Sequence, residues 1–156
     1  MKKSNLFTAI LIAWLVAGTI DILSAIFILS KGNAGATFKY IAGAVAGKDN
    51  SLGETATLLL GACSHYLIAL CWTIFYYMVF KKIKFDKLHV IFSALLYGAF
   101  IFFAMRYIFV PLLGKLPAPK PIDSSQIWSI VKNILILAVA FGVTLRYFAG
   151  RYYSQK

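Results

Sequence analysis

Charge is scarce in this chain: Asp, Glu, Lys and Arg make up 13% of its 156 residues, whereas 61% are hydrophobic. Soluble domains carry about a quarter charged residues, so the soluble globular class is excluded. A mean hydropathy of +0.80 places the chain among membrane proteins. Chemistry-bearing motifs are lacking as well. There is no HExxH zinc motif, no nucleotide or lipid-phosphotransferase motif, and no internal repeat that would suggest inverted halves. The two cysteines, Cys63 and Cys71, lie roughly 12 Å apart along one helix, too far to bridge within it. Cys63 and His65 diverge on a helix, and His89 is too distant from His65 to share a metal or haem. No metal or cofactor is expected.

What is present is length of apolar run. A membrane span needs about 20 mostly apolar residues, and four segments supply it: 6–29, 55–80, 88–113 and 127–148. They are too long, and too weakly alternating, for barrel strands of about 10 residues. The sequence therefore predicts an all-α membrane protein, a single domain over 1–156 built as a four-transmembrane-helix up-down bundle. The start Lys2-Lys3 and the triplet Ala34-Gly35-Ala36 mimic a cleavable signal peptide. The apolar run to Leu29 outlasts the usual core of about 7 to 15 residues, however, so an uncleaved signal-anchor is expected.

The connections differ in character. Lys81 to Lys87 reads as a short charged turn that makes the second and third spans antiparallel neighbours. In the first connection, Thr37 to Gly47 is apolar enough for a short interfacial or re-entrant helix, with Gly43 and Gly47 as a small-xxx-small packing pair. The third connection is extended by Pro117, Pro119 and Pro121, and Asp123 or Ser124 is placed to cap the fourth span.

Basic residues favour the cytoplasmic side. Lys2, Lys3, Lys81, Lys82, Lys84, Lys87, Arg146, Arg151 and Lys156 outnumber Lys31, Lys39, Lys48, Lys115 and Lys120, so both termini are expected in the cytoplasm. Tyr76, Tyr77, Tyr147, Tyr152 and Tyr153 then sit at inner ends, with Trp128 at an outer end. The formal charge of +11 reads as topology and attraction to membrane lipids, not as nucleic-acid binding.

Each span is broken by a polar or ionisable residue: Asp21, His65, Arg106, and Lys132 with Asn133. Such residues are costly in a bilayer and mark functional sites by default. Counted at about 1.5 Å per residue, all fall in the outer half. Asp21 shares a face with Trp14, Ala17, Gly18, Ser24 and Ala25, and His65 with Gly61, Ala62, Ala69 and Trp72. Those small residues mark close helix contact, so both side chains are expected inside the bundle. Arg106 has bulky neighbours, Phe102, Phe103, Phe109 and Val110, and long stems let Arg106 and Lys132 snorkel outward instead. Arg106 is the expected charge partner of Asp21 and His65 its neutral one, while Asn133 offers an interhelical hydrogen bond.

The primary site set is thus Asp21, His65, Arg106 and Asn133, with Ser24, Lys132 and Trp72 secondary and no catalytic residue assigned. Gly18-Thr19-Ile20-Asp21 with Ala25, Gly61, His65 to Ala69, Trp72, Tyr76-Tyr77, Tyr97-Gly98 and Val110-Pro111-Leu112 together resemble the YagU-like family. These are small four-helix proteins of the bacterial inner membrane with a domain of unknown function. The resemblance implies that location and no particular activity. The expected function is transport or permeation of an unknown ligand, in a homo-oligomer able to enclose a path. An accessory or structural membrane protein is the alternative. An intramembrane hydrolase built from Asp21, Ser24 and His65 is the weakest reading, because ordinary helix packing explains those atoms better, and a non-enzyme is expected.

Overall fold

Without water, backbone N–H and C=O groups inside a hydrocarbon layer find partners only within a helix, so long apolar runs have one fold available. The computed structural model describes residues 5–47, 52–84, 87–113 and 122–154. They form five helices and no strand: α1 Leu6–Leu29, α2 Ala34–Ala46, α3 Glu54–Phe80, α4 Val90–Leu113 and α5 Ser124–Ser154. All but α2 are long and apolar enough to cross a membrane, making this an all-α, multi-pass bundle. The extended path expected of Pro117, Pro119 and Pro121 lies outside the described residues, as do Lys2, Lys3, Lys48, Lys115, Lys120 and Lys156.

Helix ends follow their caps. Asn33 accepts a hydrogen bond from the Ala36 backbone at 2.9 Å, starting α2 before the expected Thr37. Asp123 does the same for the Ser125 backbone at 2.7 Å, and the Ser125 hydroxyl, together with that backbone bond, holds its carboxyl below the usual carboxylate range. The α5 helix runs to Ser154 rather than stopping near Phe148. The reason is a buried stripe, Leu145, Ala149 and Tyr152, whose helical spacing keeps the polar end docked on the bundle.

Close packing is set by glycines. A Cβ at Gly61 would stand 2.2 Å from the Phe38 carbonyl oxygen, so only glycine lets α2 lie on α3. On the other side, Cβ atoms at Gly98 and Gly142 would meet the Ala138 nitrogen at 2.6 Å and the Ala94 Cα at 2.5 Å, which clamps α4 to α5. Gly43 and Gly47 do not act as the expected packing pair: Gly43 is buried, but Gly47, at φ +93°, ends α2, and a Cβ added there would enter open space.

The spans are not neighbours simply in chain order. Packing runs α3, α1, α5, α4, and the backbones of α3 and α4 approach each other at few points. Aromatic rings bridge that gap: Tyr76 with Tyr97 at 4.7 Å and Trp72 with Phe100 at 5.7 Å, plus a Tyr97 hydroxyl bond to the Trp72 carbonyl at 2.6 Å. Bulk along the facing sides holds these two helices apart, whereas the small residues of α4 draw it to α5.

Three of the four spans contain a π-helical turn, over 25–29, 105–109 and 138–143. The Ser30 amide donates to the Ala25 carbonyl at 2.9 Å, five residues back rather than four. Each such turn rotates the helical segment on its N-terminal side relative to the segment on its C-terminal side, and π turns concentrate at functional sites.

The glycine contacts yield a stability test. Gly98→Ala and Gly142→Ala each place a methyl group against backbone and should cost about 1 to 3 kcal/mol. Gly150→Ala enters open space within a helix, and should gain about 0.5 to 1 kcal/mol. Unfolding of the purified protein in mild detergent measures all three, and equal effects would contradict the packing described.

Candidate functional site: a polar cavity between the helices

At the end of the bundle that carries the first and third connections, the helices enclose a cavity of about 720 Å³. Every helix contributes to its wall, α2 included. Four of the residues that break the apolar runs, Asp21, His65, Arg106 and Asn133, border this one space, together with Trp72. Its wall ends just past the middle of the spans, at Trp72, Ile101 and Phe141. Beyond them Tyr76, Phe80, Tyr97 and Leu145 are buried and fill the bundle.

His65 is fixed by the α1–α3 contact. Gly18 lets Ala69 and Tyr66 approach to the distance at which a Cβ would stand 3.3 Å away, and the imidazole Nε2 then lies 2.9 Å from the Gly18 carbonyl oxygen. A carbonyl only accepts, so Nε2 carries a proton, and when the ring is neutral Nδ1 is left as an acceptor. The neighbouring Tyr66 reinforces the same contact, its carbonyl accepting from Trp14 Nε1 at 2.7 Å and its hydroxyl lying 3.1 Å from Thr19 Oγ1.

Asp21 borders the cavity one turn beyond Gly18. The partners expected for it are engaged elsewhere. His65 bonds Gly18, and Arg106 Nη2 donates to Gln126 Oε1 at 3.3 Å. Among the described residues the ion pair present is Lys39–Glu54 at 2.7 Å, and Asp21 makes neither an ion pair nor a side-chain hydrogen bond.

Arg106 keeps two of the neighbours that uniform helical spacing gives it, since Phe102 and Val110 border the cavity beside it, and Met105, placed about a quarter turn away, borders it too. The Arg106 guanidinium reaches Gln126 at the start of α5, so it stays within the bundle while extending toward the connection end.

Asn133 borders the cavity while its amide nitrogen donates to the Ser129 carbonyl at 2.8 Å on its own helix, leaving Oδ1 as an acceptor. The expected interhelical bond is not made. Lys132 and Ser24 do not border the cavity. Lys132 lies over the Trp128 ring at 5.6 Å, in keeping with an anchoring role. With Ser24 outside, the atoms of a hydrolase triad do not converge in the cavity.

Ser30, Thr37 and Tyr40 complete the polar wall, and sequence reasoning passed over them. Thr37 Oγ1 donates to Ser30 Oγ at 2.8 Å, tying α2 to the end of α1. Their signal was present: Thr37, Tyr40, Ile41 and Ala44 form a helical stripe that faces the cavity.

The His65 contact is directly measurable. ¹⁵N magnetic resonance of the neutral imidazole in bilayers should show the proton on Nε2 and a bare Nδ1, and the opposite tautomer would contradict the contact with Gly18. No model of a known protein family, no curated protein and no solved structure matches this chain.

Proposed function

We propose that the chain is a small carrier or permeation protein that takes a polar ligand into the cavity bordered by Asp21, His65, Arg106 and Asn133. One observation carries this reading: polar residues from four different spans border one space, and the Asp21 carboxyl meets that space without a hydrogen-bonding or ionic partner among the described residues. A purely structural role would favour full pairing, since an unpaired buried carboxyl is costly. In this reading Asp21 binds a cation or proton, Nδ1 of His65 accepts a proton from the ligand or water, and Arg106 acts as counter-ion at the mouth.

The cavity is blind, stopping at Trp72, Ile101 and Phe141. Passage therefore requires the aromatic packing between α3 and α4 to rearrange, with the π turns as points where α1, α4 and α5 can change register. The basic-residue bias puts both termini in the cytoplasm, which makes the cavity an external vestibule. Kinship with the YagU-like proteins, and with it a bacterial inner-membrane location, rests on the short motifs around Asp21, His65, Tyr97-Gly98 and Pro111. A bundle this small is suited to working as a homo-oligomer among membrane lipids.

Proteoliposome flux screened across a pH gradient tests the proposal. Asp21→Asn and His65→Ala should each reduce flux about tenfold or more, the worth of one charge-assisted hydrogen bond. Lys132→Ala should retain wild-type flux, and all three should insert normally. Wild-type flux and ligand binding in both Asp21→Asn and His65→Ala would overturn it.

A further inference from the structure

Beside the cavity, on the side where α3 and α4 stand apart, lies a second hollow of about 320 Å³. Leu67, Cys71, Phe75 and Phe109 line it, and all four are exposed on the outer face of the spans. Ile68, Trp72 and Met105 line both spaces, so these three side chains form a wall shared by the polar chamber and the apolar groove.

Resting on the ligand-binding reading of the cavity, we propose that its ligand is a membrane-dissolved amphiphile with an ammonium head and a single hydrocarbon tail, the head at Asp21 and the tail leaving sideways through the α3–α4 groove.

The head group follows from the donors and acceptors present. Asp21 offers two carboxyl oxygens, His65 with its proton on Nε2 offers Nδ1, and Asn133, with one amide N–H bonded to Ser129, offers Oδ1. An ammonium supplies three donors and a positive charge, which complements that set. Trp72 adds an aromatic surface at the junction, suited to a cation or to the first methylenes of a tail. Arg106 is the one cation on the wall, and it is turned toward Gln126. The tail follows from continuity. The rest of the cavity wall is largely aliphatic, including Ile22, Ile41, Ile136 and Leu137, and the groove beyond Trp72 contains no charged residue. A water-soluble ion would gain nothing from either surface, whereas an alkyl chain gains from both.

Equilibrium binding of radiolabelled dodecylamine, butylamine and dodecanol to the full chain in phosphatidylcholine nanodiscs, corrected for protein-free discs, tests this. Dodecylamine should bind at least about tenfold more tightly than dodecanol, and Asp21→Asn should weaken both amines about tenfold or more. Plugging the groove, by N-cyclohexylmaleimide on Cys71 in a Cys63→Ser background or by Leu67→Trp, should weaken dodecylamine and leave butylamine unchanged. If both plugs leave dodecylamine binding unchanged, or if dodecylamine binds no better than butylamine, the lateral tail route is overturned and the cavity site stands. If dodecanol binds as well as dodecylamine, or if Asp21→Asn binds both amines like wild type, the ammonium head is overturned.

Discussion

A carboxyl group inside a hydrocarbon layer has to be surrounded by something other than lipid, and the arrangement of this bundle follows from where Asp21 is put. Placing an aspartate near a helix centre costs about 2.5 to 3.5 kcal/mol on the insertion scale, more when it faces lipid directly. The Ala17–Gly18 surface before it presses α1 onto α3, which turns Asp21 toward the space between helices and leaves Gly18's carbonyl within reach of His65. One close contact thus orients two of the polar residues at once.

The two ends of the bundle answer the same solvent constraint differently. At the end of the 81–89 turn, tyrosines satisfy themselves on neighbouring backbones: Tyr77 on Ala9 at 3.3 Å and Tyr153 on Tyr77 at 3.0 Å, while Arg146 bonds the Leu88 carbonyl at 2.6 Å. The result is a filled core. At the other end the helices splay around a cavity and the polar groups are only partly paired. That asymmetry separates a filled half from a half with open space between the helices.

Much of the fold was legible in the sequence. Apolar length alone marks the four spans, because a bilayer leaves the backbone no alternative, and the small-residue faces of Asp21 and His65 correctly placed both inside the bundle. Arg106 was legible only in part. Its uniform-spacing neighbours Phe102 and Val110 do border the cavity with it, but their bulk gave no sign that this face meets an internal space rather than lipid. Partner choice was also hidden, since Gln126 and the Gly18 carbonyl compete for Arg106 and His65 and neither competitor stands out as a charge. The α3–α4 separation escaped notice because a short turn fixes only that two helices are connected, not how closely their bulky faces can approach.

The central claim is that the space bordered by Asp21 and His65 is wet and reachable while the rest of the span surface faces lipid. Cysteine accessibility in a Cys63→Ser, Cys71→Ser background measures this, using a small membrane-impermeant thiosulfonate on cells or sealed vesicles. Cysteines at Ala25, Ala44 and Ile136, which border the cavity, should react readily, and cysteines at Leu23 and Leu135, exposed only on the outer surface of the spans, should not. Equal reactivity at the two groups of positions would contradict the account.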